Sequence, residues 1–149
     1  MSDTLDLLLA GAIRPGVYRW ASRHSTARLA ARAERSGWRS FVLAGRDLAD
    51  KDALLGALAD TLGFPAYDGR NWDALLDLLR DLSWAPTQRG WLLIWDDVRH
   101  LGARAPRDLA VALDVLRDAA AFWGDTDTPL TVLLRAAGRS VQSVPLLRG

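Results

Sequence analysis

The 149-residue chain has no cysteine, so neither a disulfide framework nor a thiolate metal site can form, and a reducing compartment suits it. Lysine occurs once, at Lys51, and histidine only at His24 and His100. Neither histidine has a second His or a Glu at ligand spacing, so no metal site is expected. No apolar run is long enough to span a bilayer. The apolar start Leu5-Asp6-Leu7-Leu8-Leu9-Ala10 carries Asp3 and Asp6 where an export leader carries basic residues, and it shows no clear cleavage site. These features lead to the expectation of a cytoplasmic protein with no membrane partner. Also missing are a G-x-G-x-x-G after a strand, a Gly-rich loop with Lys at P-loop spacing, and a nucleophile in an elbow motif. Nucleotide enzymes lose ground, and no cofactor is expected.

What is present is ordinary globular material. Half of the residues are hydrophobic and a quarter charged, enough for one self-folding domain of this length. The net charge of +1 hides an asymmetry. Residues 1–39 hold seven Arg against Asp3, Asp6 and Glu34, summing to +4, and the remaining body sums to −3. Arg28, Arg32 and Arg35 recur at helical spacing, so the basic end reads as a solvated helix face and no direct nucleic-acid contact is expected.

Along the chain, residues 16–20 alternate apolar with polar after a Pro-Gly turn signal, as a short strand does. A helix is predicted over 26–35, stopping at Gly37, then a strand over 40–44. Leu54, Leu55, Leu58 and Leu62 give a helical period over 48–62, ended by Gly63, and another helix opens at Asn71 and runs to about Leu82. Trp91-Leu92-Leu93-Ile94-Trp95 is continuously apolar, the mark of a central strand buried on both faces. A helix over 107–123 and a strand over 130–134 follow, and residues 139–149 read as a frayed tail. Strands separated by helices imply crossovers and a parallel sheet. The expected fold is α/β, with a small parallel sheet of three to four strands. Residues 1–37 form a strand-helix leader packed on the domain, 38–138 the domain proper and 139–149 a tail.

Two clusters bear on function. Asp96-Asp97 ends the central strand, where ligands of open α/β sheets bind, and two carboxylates there could hold Mg²⁺ for phosphotransfer. The cations that such chemistry adds are not evident nearby. The helix after Asn71 has two faces. Trp72, Leu75, Leu78, Leu79 and Leu82 cluster on one, and Asp73, Asp77 and Asp81 lie on the other with Arg80 beside them. Like charges at four-residue spacing oppose an isolated helix by roughly 0.2–0.5 kcal/mol per pair. Spacing alone leaves open an ordinary wet face, but such a stripe also suits a cationic partner. On the helix over 107–123, Val111, Val115 and Phe122 form a second apolar strip on the side of Asp118, consistent with either a contact surface or burial under another segment.

The string Gly63-Phe64-Pro65-Ala66-Tyr67-Asp68-Gly69-Arg70-Asn71-Trp72-Asp73-Ala74-Leu75, followed by Leu76-Asp77-Leu78-Leu79, resembles the signature of the barstar family, Pro-x-Tyr-x-Gly-x-Asn-hydrophobic-Asp-Ala-Leu. The order of elements over roughly 40–135 is similar too. The resemblance implies a non-enzymatic inhibitor of a barnase-like microbial ribonuclease or related basic nuclease, a monomer when free. It implies that Tyr67 and Gly69 form the loop lying against the nuclease and that Asn71 caps the helix. Asp73 would meet the edge of the cleft, Asp77 would enter the pocket for a substrate phosphate, and Asp118 would add an acid from the later helix, with Leu76 and Val115 in the contact. Leu76 stands where an aromatic residue is common, Asp68 where a second tyrosine can occur, and Arg70 adds a cation beside an acidic face. These departures bear on which partner is bound, and the same scaffold with a different protein partner is the main alternative.

Overall fold

A computed structural model describes residues 3–65 and 71–149. Among the described residues the strands β1 (Val17–Ala21), β2 (Trp38–Ala44), β3 (Gly90–Asp96), β4 (Leu130–Leu134) and β5 (Leu146–Arg148) form one sheet, ordered β2-β3-β4-β1-β5 and parallel throughout. The α/β class stands, but the expected three to four strands are corrected to five. The fifth comes from the segment read as a tail. The Arg19 N–H donates to the Pro145 carbonyl at 2.7 Å and the Gly149 N–H to that of Ala21 at 2.9 Å, which ties β5 to β1. Three residues at a sheet edge after a proline carry no periodic signal. Their extended form is supplied by the strand they join.

Among the described residues six α-helices lie between the strands or precede them: α1 (Thr4–Leu9), α2 (Thr26–Arg35), α3 (Lys51–Leu62), α4 (Trp72–Leu79), α5 (Arg99–Arg104) and α6 (Pro106–Gly124). The helices divide between the two faces of the sheet. Phe41, Leu43, Trp91, Leu93, Trp95, Val132 and Leu134 point into the larger core, with Leu54, Leu58, Leu75, Leu79, Leu113 and Leu116 from α3, α4 and α6. Trp38, Leu92, Ile94, Leu133 and Trp20 point the other way, against Leu5, Leu8 and Leu9 of α1 and Leu29 and Ala33 of α2. The alternation along β3 therefore feeds two cores, which is why its sequence is apolar without interruption. Right-handed crossovers explain the layering. The steps from β2 to β3 to β4 run one way across the sheet, and the step from β1 back to β2 runs the other way, which places α2 on the opposite face.

Tryptophans close the ends of the elements. The indole N–H of Trp38 donates to the Leu9 carbonyl (3.1 Å), that of Trp84 to Leu62 (3.0 Å) and that of Trp123 to Leu79 (2.7 Å). Each acceptor sits in the last turn of a helix, where carbonyls lack an intrahelical partner. These rings therefore fill core volume and satisfy a helix end at once.

Charge supplements the apolar packing of the short α1 beside α2. Asp3 caps α1 by accepting the Asp6 N–H at 2.9 Å, and Arg32 of α2 donates to Asp3 at 2.8 Å and to Asp6. The Arg32 hydrogen bond, with the Asp6 N–H second, holds the Asp3 carboxyl at about 2, against an ordinary 3.8. A depressed folded value means that the contribution is full above pH 4 and is lost as pH falls from about 4 towards 2. The pair is exposed, so salt should weaken it. Exchange of the Trp38 indole proton, which is bonded to α1, should accelerate through that window, and Asp3→Asn should flatten the dependence. A pH-independent rate in the parent would show that this pair does not secure α1.

Candidate functional site

The acidic face is built on α4. Asn71, in extended backbone at φ −138°, accepts the Ala74 N–H through its side-chain oxygen at 2.8 Å and so starts the helix, as its residue type suggests. Leu75 and Leu79 are buried, and Trp72 and Leu76 pack partly buried against the same core. That anchorage turns Asp73 and Asp77 outward into solvent, one turn apart. None of the ion pairs among the described residues involves Asp73, Asp77, Asp81 or Asp118. Asp73 also lies in the first turn, where the helix dipole favours a negative charge.

The helix is shorter than its periodicity predicts. Leu82 turns into the left-handed region, at φ +50°, to place its side chain in the core, so α4 ends at Leu79. Asp81 consequently sits in the turn after the helix instead of forming a third rung with Asp73 and Asp77. Tyr67 and Gly69, together with Asp68 and Arg70, lie outside the described residues.

The second wall is α6, which packs beside α4. Asp118 is exposed there. Val115, expected at the contact surface, is only 7% exposed and belongs to the main core, because the seam with α4 and the sheet covers that part of the helix. The apolar strip at the surface is therefore supplied by Val111 (37% exposed) and Phe122 (50%). Trp123, bonded to the Leu79 carbonyl, joins the C-terminal ends of α4 and α6. The Arg80 guanidinium lies over the Phe122 ring, 5.9 Å from its centroid. Neither link between α4 and α6 has a signal in the sequence, since the partners are some forty residues apart.

The strand-end carboxylates are engaged in structural work. Thr26, at the start of α2, donates its hydroxyl to Asp96 at 2.6 Å and accepts from Arg135 at 2.8 Å. Arg135 also donates to the carbonyls of Ser22 (3.1 Å) and His24 (2.8 Å). This network pins the entry to α2 against the ends of β3 and β4. Asp97 faces Arg99 at 3.8 Å. The Mg²⁺ alternative thus finds one carboxylate already used as a hydrogen-bond acceptor and the other beside a cation.

Comparison with known proteins agrees with this layout. The model of the family described as barstar (barnase inhibitor) matches residues 38–135. Two solved structures of the Aeropyrum pernix ORC2 protein are similar in fold. The ADP form has a TM-score of 0.59 and 17% identity over 97% of this chain and 44% of that one. The ADPNP-ADP complexes give 0.57 and 18% over 89% and 38%. The chain thus spans less than half the length of either, and at these identities the likeness speaks for the fold alone. A comparison with curated protein sequences finds no match. The matched stretch runs from β2 past β4 and holds α4, α6 and the acidic face between them, and the chain belongs to the barstar family, a family of inhibitors and not of enzymes.

Proposed function

We propose that the protein is a stoichiometric inhibitor that blocks the active site of a basic microbial ribonuclease with the outer face of α4 and the residues that precede it. The observation that carries this reading is the pair Asp73 and Asp77, exposed, without an ion-pair partner among the described residues, and fixed on a helix whose other side is locked into the core. Cleavage of RNA needs cations around the scissile phosphate, so the mouth of such an enzyme is positive. Fixed carboxylates lose little freedom on docking there, and their field speeds encounter.

A second reading keeps the scaffold and the face but changes the target to another basic protein. Leu76, in place of the aromatic residue common in the family, favours it. The nucleotides of the two ORC2 structures belong to those proteins. This sequence lacks the Gly-rich, Lys-bearing loop that cradles phosphates, and Asp96 is committed to Thr26.

Titration of barnase with the full chain tests the first reading. Ribonuclease activity should fall linearly to an end point near one inhibitor per enzyme. Unchanged activity at excess inhibitor would sink the ribonuclease reading, and continuing loss at far substoichiometric amounts would point to an enzyme instead.

A further inference from the structure

Resting on that inhibitor reading, we infer that Phe122 is the apolar anchor of the acidic face, taking an apolar side chain of the target at the rim of its cationic cleft. Phe122 is half exposed, more than any other large hydrophobic residue described. Its ring is nevertheless held in place. It meets Trp123 edge-on, with centroids 5.2 Å apart, Trp123 packs on Trp91 at 4.7 Å, and the Trp123 indole is bonded to the end of α4 at 2.7 Å. An exposed aromatic ring that rests on a neighbouring ring itself fixed at two points loses little freedom on docking, which is what makes aromatic residues effective anchors.

The surroundings of the ring define what it fits. Phe122 lies one helical turn after Asp118 on α6, and Arg80, over its ring, lies three residues after Asp77 on α4. Asp118 therefore borders the apolar spot on its own helix, and Asp77 stands on the adjoining helix one turn before the residue that covers the ring. A complementary surface presents an apolar residue bordered by cations, which is the edge of a phosphate-binding cleft and not its floor. Arg80 contributes differently. With its guanidinium over the ring, it forms no ion pair with Asp77, whose carboxylate has no ion-pair partner among the described residues. Phe122 could thus act by contact or only by holding Arg80, and its assignment as an anchor requires contact.

A double-mutant cycle on the full chain, with barnase as the probe, separates the two. Phe122→Ala should weaken binding about tenfold or more, mainly through faster dissociation. The loss should be the same at low and high salt, unlike that of Asp77→Ala, and should persist in the Arg80→Ala background. Phe122→Leu should fall between, and urea unfolding should leave all variants near the parent. Parent-like affinity in Phe122→Ala, or a loss that disappears once Arg80 is gone, overturns the anchor while the inhibitor reading stands. A parent chain that does not bind barnase overturns both.

Discussion

Asp77→Ala should weaken inhibition of a basic ribonuclease by about 2–5 kcal/mol, roughly thirtyfold to several thousandfold, and leave the free protein as stable as before or slightly more so. That is the general cost of truncating one partner of a buried, hydrogen-bonded charge pair; close charge pairs between barnase and its inhibitor couple by about 1.5–7 kcal/mol. In the free chain Asp77 is exposed, has no ion-pair partner among the described residues, and lies one turn from Asp73 on α4. Removing it relieves a like-charge contact, typically worth about 0.2–0.5 kcal/mol. In the complex the same carboxylate would be desolvated among cations that its loss leaves unpaired. Affinity and stability should therefore move in opposite directions. Asp81→Ala is the control, because its carboxylate sits beyond the end of α4 and should matter far less. Affinity measured beside urea unfolding decides the matter. Parent-like binding by Asp77→Ala, or an affinity loss matched by lost stability, would remove this residue from the site.

Removal of residues 1–37 should abolish cooperative folding. The cut takes away α1 and α2, which cover Trp38, Leu92, Ile94 and Leu133, and withdraws β1 from between β4 and β5. Burying a large aliphatic or aromatic side chain stabilises by roughly 1.5–3 kcal/mol, and whole domains retain only about 5–15 kcal/mol. Uncovering four such residues at once rivals the entire stability. A milder probe is Leu29→Ala, which opens the same core from α2 and should cost about 2–5 kcal/mol. Circular dichroism and urea unfolding of both proteins provide the measurement. A truncated chain that unfolds cooperatively at the parental midpoint would mean that the second face of the sheet needs no cover.

The two predictions concern opposite sides of one sheet, and the sequence was informative about them to different degrees. On the α4 side, the Asn71 cap, the leucine face of α4 and the outward Asp73 and Asp77 are local matters of 3.6-residue period and capping chemistry, and they appear where the pattern puts them. Where structure and pattern differ, a distant contact overrides a local preference. Leu82 is pulled into the core and shortens α4, and Val115 is covered by elements remote in sequence. The strip of α6 accordingly reaches the surface only at Val111 and Phe122.

By itself the sequence determined the helices and strands over residues 17–134 other than the short α5, which no period or cap marks, together with the alternation of β with α that requires a parallel sheet and the two-faced character of α4, because each depends on side-chain period and turn residues within one stretch of chain. Strand order was decided only in three dimensions. No local pattern states that β1 lies beyond β4, yet that placement reverses the crossover into α2 and sends it to the far face. The same placement offers β1's free edge to Leu146–Arg148, turning an unpatterned tail into a strand. The pairing of Arg80 with Phe122 and of Trp123 with Leu79 is likewise tertiary. It depends on two helices separated in the chain by a central strand, and only their packing brings the carboxylates and the exposed ring onto one surface.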